Sequence, residues 1–112
     1  MPYATTALNA MLDALTVNTA KLHSADPGAA GANNELTGGS YTSKAVVFGS
    51  ASSGTRTQTG TAVFDVPAGS TVAYVTFWNN STFVASDPVT SEVFAGAGTY
   101  TLQASTLTLA NV

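Results

Sequence analysis

The sequence predicts a mainly β protein, a single antiparallel β-sandwich or small barrel with one short N-terminal α-helix. Short segments rich in apolar and β-branched residues recur at intervals of about 8–12 residues, with turn-forming residues between them, as in antiparallel sheets. The chain contains 18 Thr and 11 Ser residues, and Thr fits the half-exposed face of a strand. Its 112 residues suit one domain, with an N-terminal arm and helix over residues 1–16 and strands over residues 19–110.

The helix is predicted from four apolar residues that recur with helical spacing. They stand at positions i, i+3, i+4 and i+7, namely Leu8, Met11, Leu12 and Leu15. Thr5 or Thr6 is a suitable N-cap, and the β-branched residues beyond Leu15 favour extended chain. We therefore expect a helix over residues 6–15 that packs on another element, because an isolated helix of this length is marginally stable.

The strands and loops follow in order along the chain. Residues 19–24 form the first strand, and Asp26-Pro27-Gly28 forms a turn in which Pro presets φ. Residues 29–39 form the longest irregular loop, which makes them the best candidate for an exposed functional segment. Residues 49–60 form a loop or a weak edge strand, and Asp87-Pro88 forms a further turn. The remaining predicted strands cover residues 41–48, 61–66, 71–78, 83–85, 89–94, 99–103 and 105–110.

Composition excludes several classes of function. Charged residues make up 8% of the chain, and six acidic residues outnumber the three basic ones, Lys21, Lys44 and Arg56. Nucleic-acid binding and electrostatic membrane anchoring need a basic surface, so neither is expected. The absence of cysteine excludes disulfides and thiolate metal sites. The N-terminus lacks the pattern of a signal peptide and no apolar run approaches ~20 residues, so we expect a protein that is made in a cytoplasm and soluble there.

No catalytic, cofactor-binding or metal site is expected. His23 is the only histidine, and a structural hydrogen bond is favoured over a role as a base or a zinc ligand, because no second His or Cys accompanies it. Serine is abundant, but no G-x-S-x-G motif is present. Asp26 and Asp87 each precede a proline, which turn formation explains. A calcium site that includes Asp26 and Glu35 is an alternative without the usual ligand spacing.

Aromatic residues cluster around the strand predicted over residues 71–78. Alternation places Tyr74 and Trp78 on one face and Val75 and Phe77 on the other, while Phe83 follows the next turn. A stacking platform for a sugar is one interpretation, but Trp and Tyr are also favoured in protein interfaces. We expect one face in the core and the other against the helix or a partner protein.

Two motifs in the first half of the chain carry a family resemblance. They are Leu22-His23-Ser24-Ala25-Asp26-Pro27-Gly28 and Asn34-Glu35-Leu36-Thr37-Gly38-Gly39-Ser40-Tyr41. They resemble the pattern L-H-[ST]-x-D-P-G … N-E-[LV]-x-G-G-x-Y-x-R of short bacteriophage virion proteins, which are described as tail-fibre-like, minor structural or capsid decoration proteins. Similar stretches are Ala45-Val46-Val47-Phe48-Gly49, Val66-Pro67-Ala68-Gly69-Ser70-Thr71-Val72, Phe77-Trp78 and the segment from Ala97-Gly98-Thr99 to Leu102. The Arg of the pattern is Ser43 here, and the adjacent Lys44 offers only a point charge in its place.

The resemblance implies a non-enzymatic structural protein of the virion, made in the host cytoplasm and without cofactors. In the favoured role, a capsid decoration protein lies on the capsid exterior, bridges subunits of the major capsid protein and stabilises the assembled shell by mass action. The small size and the lack of a repeat or coiled coil that would form a shaft favour this role. The alternative is a minor tail or tail-fibre protein that contacts the host. A carbohydrate-binding module or hydrolase is a weaker third interpretation, because no sequence motif assembles a site.

Partner contacts are predicted in two irregular, weakly charged segments, the loop from Ala25 to Tyr41 and the N-terminal residues through Thr6. The expected partners are the major capsid protein and further copies of this chain, as a homotrimer or another homo-oligomer. The residues predicted to make these contacts are Pro2, Tyr3, Thr6, Asp26, Pro27, Gly28, Asn34, Glu35 and Tyr41.

Overall fold

The computed structural model describes residues 4–14, 16–103 and 106–108. These residues contain α1 (Thr5–Ala14), β1 (Thr19–His23), β2 (Lys44–Ala45), β3 (Val47–Phe48), β4 (Thr55–Thr59), β5 (Thr61–Val66), β6 (Ser70–Asn79), β7 (Thr82–Phe94), β8 (Gly98–Gln103) and β9 (Thr106–Thr108). The predicted mainly β class with one short helix is confirmed. The strands pair antiparallel in sheets that do not close into a barrel, so the fold is a small β-sandwich.

The described strands form three sheets. The strand orders are β2-β1-β6-β7, β3-β4-β9 and β5-β8. The segment that contains β2 and β3 contributes to two of these sheets, because β2 pairs with β1 while β3 pairs with β4. Between them, buried Val46 donates its N–H to the carbonyl of Asn18 at 3.1 Å. The single strand predicted over residues 41–48 is therefore wrong: it begins only at Lys44 and is divided at Val46, where the chain passes from one sheet to the other.

The helix α1 begins one residue earlier than predicted. The carbonyl of Ala4 accepts the N–H of Leu8 at 3.0 Å, which places Ala4 at the N-cap. The prediction that Thr5 or Thr6 caps the helix is wrong, because both residues already lie within it. The predicted helical residue Leu15 lies outside the described residues.

The helix packs beside β4 through both apolar and polar contacts. Leu8 is buried. Two side chains of the helix accept backbone N–H groups of the segment before β4: Asn9 Oδ1 from Gly54 at 2.9 Å and Asp13 Oδ1 from Ala51 at 2.8 Å. These bonds satisfy backbone donors of an irregular segment, so the helix and the segment order each other.

The strand β7 replaces two predicted strands and a predicted turn. Residues 82–94 are continuous, and Pro88 lies within the strand, opposite Tyr74 of β6. The turn predicted at Asp87-Pro88 is therefore wrong. Proline is tolerated because β7 is an edge strand, where its missing N–H removes no bond from a second neighbour. The register shifts between Val72 and Tyr74, where β7 contains more residues than β6, as in a β-bulge.

The strand β4 lies in the middle of its sheet rather than at an edge. It pairs with β3 on one side and with β9 on the other. Its one buried side chain, Gln58, is 5% exposed and donates from Nε2 to the carbonyl of Leu102 at 3.0 Å. This bond links β4 to β8, which belongs to a different sheet.

The hydrophobic core lies between the sheets. In β5, Ala62, Phe64 and Val66 are buried while the intervening residues are exposed. Phe77 of β6 meets Phe48 of β3 edge-on, with ring centroids 5.5 Å apart. Complete burial of a side chain such as Phe64 or Phe77 contributes about 1.5–3 kcal/mol, so the alternating apolar residues hold the sheets together.

Candidate functional site

The candidate partner-binding segment is a compact loop over residues 24–34. Its two ends meet: the N–H of Ser24 donates to the carbonyl of Asn34 at 2.9 Å, and His23 forms an isolated β-bridge with Glu35. Just beyond it, the N–H of Leu36 donates to a carbonyl of β1 at 3.0 Å. A surface loop of this length with adjoining ends is an Ω-loop, which is often functional.

The turn Asp26-Pro27-Gly28 shapes the first half of this loop. Asp26 Oδ1 accepts the N–H of Gly28 at 2.8 Å, and Gly28 has a φ of 77°. Pro27 is fully buried, and its carbonyl accepts the N–H of Asn33 at 3.0 Å. Asn34, whose φ of 62° is also left-handed, donates from Nδ2 to the carbonyl of Asp26 at 2.9 Å. The motif residues therefore build the loop by bonding to one another.

A buried chain of hydrogen bonds fastens the loop to the large sheet. His23 Nδ1 lies 2.7 Å from the carbonyl of Asn33, and because a carbonyl only accepts, Nδ1 is the donor. In the neutral ring Nε2 then accepts the hydroxyl hydrogen of Thr76 at 2.8 Å, and Thr76 Oγ1 accepts the indole N–H of Trp78 at 2.7 Å. His23 and Thr76 are completely buried. The predicted structural hydrogen bond of His23 is confirmed.

Trp78, on the aromatic face of β6, is covered by the chain itself. Trp78 is 8% exposed, its ring lies 5.4 Å from that of Phe83, and Lys21 Nζ lies 4.2 Å above it. Gly31 of the loop approaches the Phe83 ring so closely that a Cβ there would lie 2.6 Å from the ring Cγ. The expectation that this face packs against the helix or a partner protein is wrong for Trp78, because Lys21 and Phe83 cover it and the loop packs on Phe83.

Tyr41 joins the segment that follows the loop to β1. Its hydroxyl donates to Glu35 Oε2 at 2.9 Å and accepts the N–H of Leu22 at 3.0 Å. Its ring stacks on Phe64 with centroids 6.5 Å apart. Burial raises the pKa of the Tyr41 hydroxyl well above its usual value, and the neighbouring carboxylate of Glu35 raises it further.

The structure brings most of the predicted contact residues together. Six of them lie in or beside the loop, namely Asp26, Pro27, Gly28, Asn34, Glu35 and Tyr41. The side chain of Pro27 faces the interior instead of solvent. Thr6 is exposed on α1, an element that packs near β4 rather than on the loop, and Pro2 and Tyr3 lie outside the described residues. That these residues contact a partner stays a prediction.

Sequence reasoning missed the role of three residues in holding the loop in place. Phe83 lies against Gly31 of the loop and Thr76 supports the loop through His23, yet none of the three lies in a recognisable motif. Strand alternation puts Thr76 on the same face as Trp78, but this indicates only weakly that Thr76 helps to support the loop. Nothing local to Gly31 or Phe83 indicates that they meet.

Two clefts flank the turn between β5 and β6. The first, of about 330 Å³, lies among residues 39–40, 65–68 and 97–98. The second, of about 400 Å³, lies among Ser24, residues 35–37 and residues 69–71. Each contains one carboxylate, Asp65 in the first and Glu35 in the second, and no Lys or Arg of the described residues lines either.

Two kinds of feature, a cluster of metal ligands and a membrane-spanning helix, are not found in the described part of the chain. Across residues 4–14, 16–103 and 106–108, no three His, Cys, Asp or Glu side chains are grouped as metal ligands. Within those same ranges, no helix has the length and apolar character needed to cross a membrane.

Comparison with known proteins identifies the family. The family model described as podophage GP4 fiber I protein gp80 matches residues 4–109, which is nearly the whole chain. No curated protein and no solved structure matches the chain significantly. The match spans the helix, the loop and the strands of the sandwich. The chain therefore belongs to the podophage GP4 fiber I protein gp80 family and is a structural protein of the bacteriophage virion.

Proposed function

We propose that this chain is a structural subunit of a phage fibre that acts by binding other proteins rather than by catalysis. The observation that carries the proposal is the match of residues 4–109 to a family named for a fibre protein. An elongated shape, with principal extents of 47 × 27 × 24 Å, suits a subunit that lengthens an assembly. The sequence alone favours capsid decoration over a fibre role. We nevertheless favour the fibre role, because the matched family is named for a fibre protein.

The loop over residues 24–34 is the surface that we assign to attachment. Its backbone is held at both ends and by the buried contacts of His23, so little conformational freedom remains to be lost on binding. Pre-organisation of this kind strengthens binding because ordering costs about 0.5–1.5 kcal/mol for each immobilised flexible side chain, and loop ordering adds to this. Ala29, Ala30 and Ala32 are exposed and offer a surface with no charge.

Capsid decoration is the second candidate function. The observation that favours it is the size of the protein, because a small sandwich of 112 residues suits a position repeated over a shell. In that role the chain binds the exterior of the capsid, bridges subunits of the major capsid protein and shifts the equilibrium towards the assembled shell. A homotrimer or other homo-oligomer is compatible with both roles.

The number of copies per particle separates the two functions. Purified virions are analysed by quantitative mass spectrometry, with the major capsid protein as the internal reference. A small number of copies supports the fibre role, whereas a number commensurate with the capsid subunits refutes it and supports decoration. Immunogold labelling of the same virions locates the protein independently, either at a fibre or distributed over the capsid.

A further inference from the structure

The cleft of about 400 Å³ beside Glu35 is richer in hydroxyl-bearing residues than the chain as a whole. Four of the residues around it carry hydroxyl groups: Ser24, Thr37, Ser70 and Thr71. They come from the end of β1, the segment after the loop and the beginning of β6. A hydroxyl group both donates and accepts hydrogen bonds, so this lining suits a ligand that itself carries several hydroxyl groups.

Glu35 gives the cleft one oriented acceptor. The hydroxyl of Tyr41 donates to Glu35 Oε2 at 2.9 Å, and the N–H of Leu22 in turn donates to that hydroxyl at 3.0 Å. The first bond orients the carboxylate, and the second holds the Tyr41 hydroxyl that donates to it. A carboxylate offers about four acceptor positions, so further ones remain for hydroxyl donors of a ligand. Hydrogen bonds to a charged acceptor are roughly twice as strong as those between neutral groups.

The walls of the cleft are formed before any ligand binds. The N–H of Leu36 donates to the carbonyl of Leu22 at 3.0 Å on one side. On the other side, the N–H of Gly69 donates to the carbonyl of Phe94 at 2.7 Å, and the N–H of Ser70 donates to that of Pro67 at 3.3 Å. A cleft that is already ordered loses little conformational entropy when it is occupied.

The charge and size of the cleft define the class of ligand. No Lys or Arg of the described residues lines it, so it does not suit a phosphate or a carboxylate. Leu36, its one large apolar residue, is 7% exposed, so an apolar ligand gains little contact. Its volume of about 400 Å³ is within the range of about 300–1,000 Å³ that is usual for small-ligand sites. We propose that the cleft binds a neutral saccharide unit, a hexose, with Glu35 as its principal acceptor.

This proposal goes beyond the fibre assignment and holds for a fibre or a decoration protein. It is tested with the isotope-labelled full chain by two-dimensional amide NMR titration with glucose, galactose and N-acetylglucosamine, and with glucuronate as a negatively charged comparison. We expect shifts confined to residues of the cleft with neutral sugars. Glucuronate should bind more weakly, because its carboxylate is repelled by Glu35.

Three variants make the test specific. Glu35→Gln keeps an acceptor for Tyr41 but removes the charge, and it should weaken saccharide binding by about tenfold. Thr71→Val removes one hydroxyl group from the lining and should weaken binding several-fold even if Glu35→Gln fails to fold. Asp65→Asn alters the neighbouring cleft and should bind as the wild type does. The absence of shifts with all three neutral sugars overturns the proposal, as does equal binding by the wild type and both cleft variants.

Discussion

The close approach of Gly31 to Phe83 gives a quantitative test of how the loop is held. A Cβ at Gly31 would lie 2.6 Å from both Cγ and Cε1 of the Phe83 ring, whereas ordinary carbon contacts are about 3.5–4.0 Å. The ring therefore has to move by about 1 Å, and it is packed at 5.4 Å from Trp78. Overpacking of this kind costs about 1–3 kcal/mol. Gly31→Ala adds the strain of a left-handed alanine, about 1–2 kcal/mol, so we expect a total loss of about 2–5 kcal/mol.

Gly60 provides the matched control, because its φ of 70° equals that of Gly31 and a Cβ added there would meet no described residue beyond its chain neighbours within 4 Å. Gly60→Ala should lose only about 1–2 kcal/mol, the backbone component. The free energy of unfolding is measured by urea titration, followed by the fluorescence of the single tryptophan and by far-ultraviolet circular dichroism. Equal losses for the two variants would refute the packing argument. In a Phe83→Ala background, the extra loss at Gly31 should disappear, because the two sites are coupled through the ring.

Four further predictions concern single side chains. Tyr41→Phe should flatten the pH dependence of stability: the wild type keeps its stability up to about pH 10 and then loses up to about 1.4 kcal/mol per pH unit for this group, because the raised pKa of Tyr41 lets the unfolded chain ionise first. Urea titrations at several pH values measure the difference. Thr76→Val leaves His23 Nε2 and the indole N–H of Trp78 without a partner and should lower the free energy of unfolding by about 2–4 kcal/mol, whereas a change below the error of a urea titration would contradict the buried hydrogen-bond chain. Gln58 Oε1 has no partner among the described residues, so Gln58→Leu removes one unpaired acceptor together with one bond and should change Tm little. Ala29→Arg should reduce the number of copies on purified virions without changing Tm. Thr59→Arg, at an exposed position on β4, should leave the number of copies unchanged. Equal numbers of copies for the two variants would contradict the assignment of the loop to the attachment surface.

Local patterns predict those parts of the fold that local chemistry decides. The strand over residues 61–66 is confirmed at both ends, because strict alternation and the following Pro67 define it. The division at Val46 is not predictable from sequence, since it arises when one short run pairs with strands of two different sheets. The turn prediction at Asp87-Pro88 fails because the same dipeptide suits a turn and an edge strand, and only the position of β7 in the sheet distinguishes them.

The candidate sites likewise can be predicted from the sequence only where their residues lie close together along the chain. The loop motif is visible in the sequence because its residues are adjacent and each suits a turn. The cleft beside Glu35 is not, because its lining comes from segments far apart along the chain, around Ser24, Thr37 and Ser70. A site assembled by tertiary structure from ordinary Ser and Thr residues leaves no spacing that a sequence can reveal.

The outer edge of the large sheet, formed by β7, affects how copies of this protein can meet. A chain with 8% charged residues and much β-structure is at risk of joining strand to strand into insoluble aggregates. The outer strand β7 carries Pro88, a bulged register and two acidic side chains, Asp87 and Glu92, all of which oppose the addition of another strand. This edge therefore resists the addition of a strand from another copy. Contacts that another protein makes at this edge then have to involve side chains rather than backbone pairing.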